Sequence, residues 1–137
     1  DGNKYKNKFH ENIVIKGNTI TGYSAEGCTL YNTLNAVVKN NTITTYSTRK
    51  NESYSVGLNI TIQGKAAAKK LNKSKVTVSG NTVYGYRQGI QVVTRSSSRY
   101  KKAVLKKNKA YASSKGRAIV TSGAHSVTSK GNSTNKR

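Results

Sequence analysis

Apolar residues along this chain recur in short alternating runs, and five of these runs share one asparagine. The runs cover residues 13–20, 36–43, 76–83, 103–110 and 127–134, with the shared residue at Asn18, Asn41, Asn81, Asn108 and Asn132. Counted from that asparagine, positions −5, −3 and +2 are apolar: Ile13, Ile15 and Ile20 in the first run, Val76, Val78 and Val83 in the third. Period-two alternation predicts a strand with one buried face. The Gly-Asn or Asn-Asn pair that follows predicts a turn, and a short second strand comes after it. A further strand is predicted behind a glycine, at Gly57-Leu58-Asn59-Ile60 and Gly89-Ile90-Gln91-Val92. Gly27-Cys28-Thr29-Leu30 is equivalent, and Gly116-Arg117-Ala118-Ile119-Val120 fits with a shift of one residue.

Intervals between the asparagines are 23, 40, 27 and 24 residues, and the short ones are of the length of one solenoid coil. A β-sandwich would space its strands at 8–12 residues without such a recurring register. The predicted fold is therefore all-β: a right-handed parallel β-helix of about four to five coils. One coil buries too few aliphatic side chains to offset the ordering of its backbone, so coils must stabilise one another by stacking. The asparagines are expected to form a vertical ladder, each amide bonding to the coils on either side. The chain reads as one domain over residues 1–137, a segment of something longer, with no Met start and no signal peptide. Residues 47–55 and 65–75 read as insertions in the long interval, the second as either a short helix or a loop.

Charge changes the picture most. Lys and Arg number 25 against four acids, a net charge of +21. A surface so charged repels itself unless counterions or a polyanion neutralise it. Nucleic acid, acidic polysaccharide, cell-wall polyanion and anionic membrane are the candidate partners. Proline is absent, which permits uninterrupted sheets. Cys28 is the one cysteine, so no intrachain disulfide forms, and it reads as a core residue. No apolar run is long enough to span a bilayer.

The pattern Val-x-Val-x-x-Asn-x-Ile followed by Gly-Ile-x-Val, as in residues 76–93, resembles the parallel β-helix repeats of pectate-lyase-like proteins. Similar coils are carried by residues 13–20, 38–43 and 104–120, and the resemblance covers roughly residues 12–134. It implies the fold and a setting among proteins that handle acidic polysaccharides at or outside the bacterial surface. It implies little about chemistry, because the matched positions are core and turn.

Position −2 from the asparagine points outward and holds Lys16, Lys39, Ser79, Lys106 and Lys130. On stacked strands about 4.8 Å apart, these predict a vertical row of lysines broken once by serine. Like charges directly opposite are destabilising, a cost that a bound polyanion would relieve. Position +5 holds Tyr23, Tyr46 and Tyr86, with Tyr84 and Tyr111 at +3, which predicts an aromatic edge able to cover the turn or pack against sugar rings or bases. Enzymatic readings lack their carboxylates. The acids are Asp1, Glu11, Glu26 and Glu52, and none recurs at a matched position. That disfavours a calcium-dependent lyase, a paired-carboxylate hydrolase and any metal or other cofactor. A metal-free β-elimination would have to draw on Lys39, Tyr46, Arg87, Arg95 and Arg117. His10 and His125 lie at opposite ends of the repeat. The Asn-x-Ser/Thr sequons at Asn40, Asn51, Asn59, Asn72 and Asn132 are what this composition yields by chance. The leading expectation is a non-catalytic module binding acidic polysaccharide or a cell-wall polyanion, extracellular or on a bacterial surface, with nucleic acid held through charge alone. A structural spacer or adhesin stalk is the alternative, and a polysaccharide lyase fragment the third.

Overall fold

The computed structural model describes residues 9–23, 26–46, 55–62, 68–94, 98–113 and 116–136. The chain is a parallel β-solenoid of about four turns. Its first sheet stacks β2 (Val14–Lys16), β6 (Val37–Lys39), β9 (Lys75–Ser79), β12 (Tyr100–Lys106) and β15 (Ala124–Lys130). The second stacks β3 (Thr19–Gly22), β7 (Thr42–Thr45), β10 (Thr82–Gly85), β13 (Lys109–Ala112) and β16 (Ser133–Lys136). The third stacks β4 (Glu26–Tyr31), β8 (Val56–Ile62), β11 (Gln88–Thr94) and β14 (Ile119–Val120). A two-stranded pair, β1 (His10–Glu11) and β5 (Thr33–Leu34), joins the third face to the first at the start of the stack.

Each column of the core is built from one position of the repeat. Val38, Val78 and Leu105 pair in register on the first sheet, and Ile43, Val83 and Ala110 on the second. Cys28, Leu58, Ile90 and Ile119 pair on the third. The members in the middle coils are fully buried. At the ends the inward-facing positions open to solvent, with Ile13 37% and Val127 42% exposed. Interior aliphatics stacked at the rung spacing supply the hydrophobic gain that no single coil could supply alone.

Two corner devices explain why the sequence repeats as it does. The residue before every anchor asparagine lies in the left-handed region: Gly17, Asn40, Gly80, Lys107 and Gly131, with φ between 53° and 69°. That bend turns the chain from the first sheet into the second. At the next corner, a β-carbon on Gly57 would overlap the Val83 side chain and sit 2.8 Å from the Tyr84 carbonyl oxygen. Gly27 and Gly89 occupy the equivalent places. In the fourth coil Ala118 takes that place, because Ile90 pairs with Ile119; Gly116 stands two positions earlier, so the shift is two residues rather than the one expected from the sequence.

Of the expected insertions, residues 47–54 and 65–67 lie outside the described residues. Ser55 is buried just before β8, and α1 (Ala68–Leu71) follows in the second stretch, with Leu71 fully buried in the core. Tyr100 fills the corner beside it. Its hydroxyl donates to the Thr33 carbonyl at 2.7 Å, tying the start of the fourth coil to the end of the first.

Candidate functional site

The asparagine column organises everything on the outer wall. Asn41 Oδ1 accepts from the Asn18 backbone N–H at 2.8 Å and from Asn18 Nδ2 at 3.2 Å. Asn81 Oδ1 accepts the same pair from Asn41, and Asn108 Oδ1 from Asn81, all at 3.0 Å. Asn132 Oδ1 takes the pair from Asn108 at 3.0 and 2.9 Å. Each Nδ2 also reaches back to a strand carbonyl one coil away: Asn41 to Ile15, Asn81 to Val38, Asn108 to Val78, Asn132 to Leu105. The amides of Asn41, Asn81 and Asn108 thus use both ends inside a dry corner, where an unpartnered polar group would be costly.

With the asparagines in line, the flanking positions are in line too. Lys16 pairs with Lys39, Lys39 with Ser79, Ser79 with Lys106, and Lys106 with Lys130. All four lysines are exposed. Beside them runs a strip of β-branched side chains on the same face, Val14, Val37, Thr77, Val104 and Thr128. Beyond that strip Lys75 stands opposite Lys102. This second pair of cations escaped the sequence reading. Counting six residues back from Asn81 and Asn108 finds it, but the first two coils have Asn12 and Asn35 there, both in left-handed bends rather than strands.

The tyrosines form two stacked pairs. Tyr23 and Tyr46 stack with ring centroids 5.7 Å apart, 82% and 62% exposed. Tyr84 and Tyr111 stack at 4.7 Å and 10° between planes. Each pair turns one ring face on its partner, so the outward-facing chemistry is ring edge and hydroxyl. Tyr86 is half-buried at its corner.

Lys39 is on the first sheet, whereas Tyr46, Arg87 and Arg117 lie at the corner between the second and third sheets. Arg95 lies outside the described residues. The strands therefore do not gather these side chains into one cleft. His10, in β1, and His125, in β15, stand at opposite ends of the stack. A shallow depression of about 310 Å³ opens beside His10, Ile13, Thr29 and Tyr31 at the first coil. Among the described residues no three His, Cys, Asp or Glu side chains come together as metal ligands. Cys28 is part-buried, and burial pushes its thiol pKa up, which disfavours the reactive thiolate. No helix among the described residues is long and apolar enough to cross a membrane.

No protein-family profile, curated protein or solved structure matches this chain. The geometry defines its class, a parallel β-solenoid with an internal asparagine ladder.

Proposed function

We propose that the protein is a non-catalytic module that holds an acidic polysaccharide or cell-wall polyanion along its first sheet, in a secreted or surface-displayed protein. The observation that carries this reading is the strand register, which sets Lys16, Lys39, Lys106 and Lys130 in one column. The described acids, Glu11 and Glu26, sit in β1 and β4, on neither side of that column. Rungs of about 4.8 Å suit a polymer with one charge per extended unit running along the solenoid axis. They are out of step with B-form DNA, whose phosphates rise by about 3.4 Å per strand. The likeness of the coils to pectate-lyase-like repeats points to the same class of ligand.

The test replaces Lys16, Lys39, Lys106 and Lys130 with Gln together and measures retention on polygalacturonate and heparin at 0.15 M salt. The reading expects retention to collapse, and to exceed that of a charge-matched unfolded peptide in the parent protein. Unchanged retention in the variant would leave a spacer whose charge serves solubility. Ultraviolet absorbance from an unsaturated uronate product would instead establish a lyase.

A further inference from the structure

We propose that the polyanion is gripped at one place on this wall, the turn of the fourth coil, through a sulfate or phosphate ester. This rests on the polyanion reading above and adds to it the site and the chemical group.

The fourth coil departs from the repeat at the two positions flanking its asparagine, each time to lysine. The residue before the asparagine is Gly17, Asn40, Gly80 and Gly131 in the other coils, all suited to a left-handed backbone. In the fourth it is Lys107, held at φ 53°. Lysine gains nothing for the fold there, since a β-carbon in that region meets the following carbonyl. The residue after the asparagine is Thr19, Thr42, Thr82 and Ser133 elsewhere, and Lys109 in the fourth coil, all in one register. Lys106 already stands at the ladder position. Three exposed lysines therefore wrap one bend: Lys106 on the first sheet, Lys107 at the apex and Lys109 on the second sheet. Lys130 lies one rung beyond Lys106.

Their neighbours leave room. Ser79 is opposite Lys106, and the Gly80 N–H donates to the Lys106 carbonyl, so the third coil presents almost no side chain at this corner. On the other side, the Lys107 stem passes Gly131, where an added β-carbon would lie 3.5 Å from Lys107 Cγ. The stacked hydroxyl-bearing rings of Tyr84 and Tyr111 border Lys109 on the second sheet. Strain and self-repulsion concentrated at one bend point to a role outside folding. One lysine per rung suits a single carboxylate per sugar. Three around one bend, with a fourth one rung beyond, suit a compact tetrahedral oxyanion with two or three terminal oxygens, for which lysine acts as a point-charge partner.

The experiment compares K107N/K109T, which restores residues the other coils use, with K69Q/K70Q, which removes the same charge from exposed positions on α1. Calorimetric titrations at 0.15 M NaCl use heparin, a glycerol-phosphate polymer, polygalacturonate and duplex DNA, and thermal melts accompany them. K107N/K109T is expected to weaken heparin or the glycerol-phosphate polymer by about tenfold or more, and polygalacturonate no more than K69Q/K70Q does. It is also expected to melt higher than the parent protein by about 2–4 °C. The polymer that loses more identifies the ester. Equal losses from the two variants on every polymer would overturn the proposal, as would a melting temperature that does not rise. Tighter binding of DNA than of either ester-bearing polymer would overturn the choice of a glycan or cell-wall polymer. A parent protein that binds none of the polymers above a charge-matched unfolded peptide would remove the polyanion reading itself.

Discussion

Replacing Asn108 with Ala removes four hydrogen bonds at a site with no solvent access. The side chain accepts from the Asn81 backbone N–H and Nδ2, and donates to the Val78 carbonyl and Asn132 Oδ1. The partners fare unequally. Asn81 Nδ2 keeps the Val38 and Ser79 carbonyls, and Asn132 Oδ1 keeps the backbone N–H of residue 108. The buried Asn81 N–H loses its acceptor. Orphaning that donor costs about 1–3 kcal/mol, and the other three lost bonds about 1 kcal/mol each, so the expected total is about 4–6 kcal/mol. Asn18→Ala at the exposed end is the internal control. Asn18 Nδ2 donates to the Lys16 carbonyl and Asn41 Oδ1, and Asn41 Oδ1 keeps the Asn18 backbone N–H. Its loss should cost about 0.5–1 kcal/mol. Urea titrations followed by far-ultraviolet circular dichroism measure both. Equal losses at the two positions, or a loss below about 1 kcal/mol at Asn108, would refute the ladder as a source of stability. Asn108→Asp separates bonding from packing: it keeps the shape but points acceptors at the Val78 carbonyl and Asn132 Oδ1. It should be the less stable of the two variants at neutral pH and recover as the carboxyl takes up its proton.

Gly57→Ala should lose about 1–3 kcal/mol through overlap with Val83, whereas Gly17→Asn, in open space at φ +69°, should be near neutral because Asn40 holds the same bend; melting temperatures compare them. Burial raises the pKa of the Tyr100 phenol far above its usual value. The native state thus keeps a proton that the unfolded chain releases near pH 10, so stability should fall as pH rises past that point. Tyr100→Phe should remove that share of the slope while losing about 1–2 kcal/mol at neutral pH by orphaning the Thr33 carbonyl; urea titrations across pH read both. Rungs about 4.8 Å apart lie inside the Debye length of about 8 Å at 0.15 M salt. Raising NaCl to 1 M should therefore stabilise the parent protein, and do so less in Lys16→Gln/Lys39→Gln, as read from thermal melts.

The fold was legible because every coil spends one asparagine and one alternating triplet on it, so a count along the chain recovers the register of the first two sheets. Thr19, Thr42, Thr82, Lys109 and Ser133 stand opposite one another as that count requires. The lysine column followed from the same arithmetic. Tyr100 did not. It lies at a break in the alternation, where Lys101 and Lys102 are both turned outward from the core, and its partner is 67 residues away. The Lys75–Lys102 pair was hidden because β9 and β12 begin earlier than β2 and β6. The strain at Lys107 is a backbone angle, visible only once the chain is folded.

The cross-section recurs while only the height changes, so charge on this wall is quantised in steps of one turn. Duplicating a coil would lengthen the cationic row by one step without redesigning any contact. Affinity for a long polymer would then be graded by copy number, each added step raising the effective concentration of the next. Gene duplication could tune such a surface like the teeth of a rack.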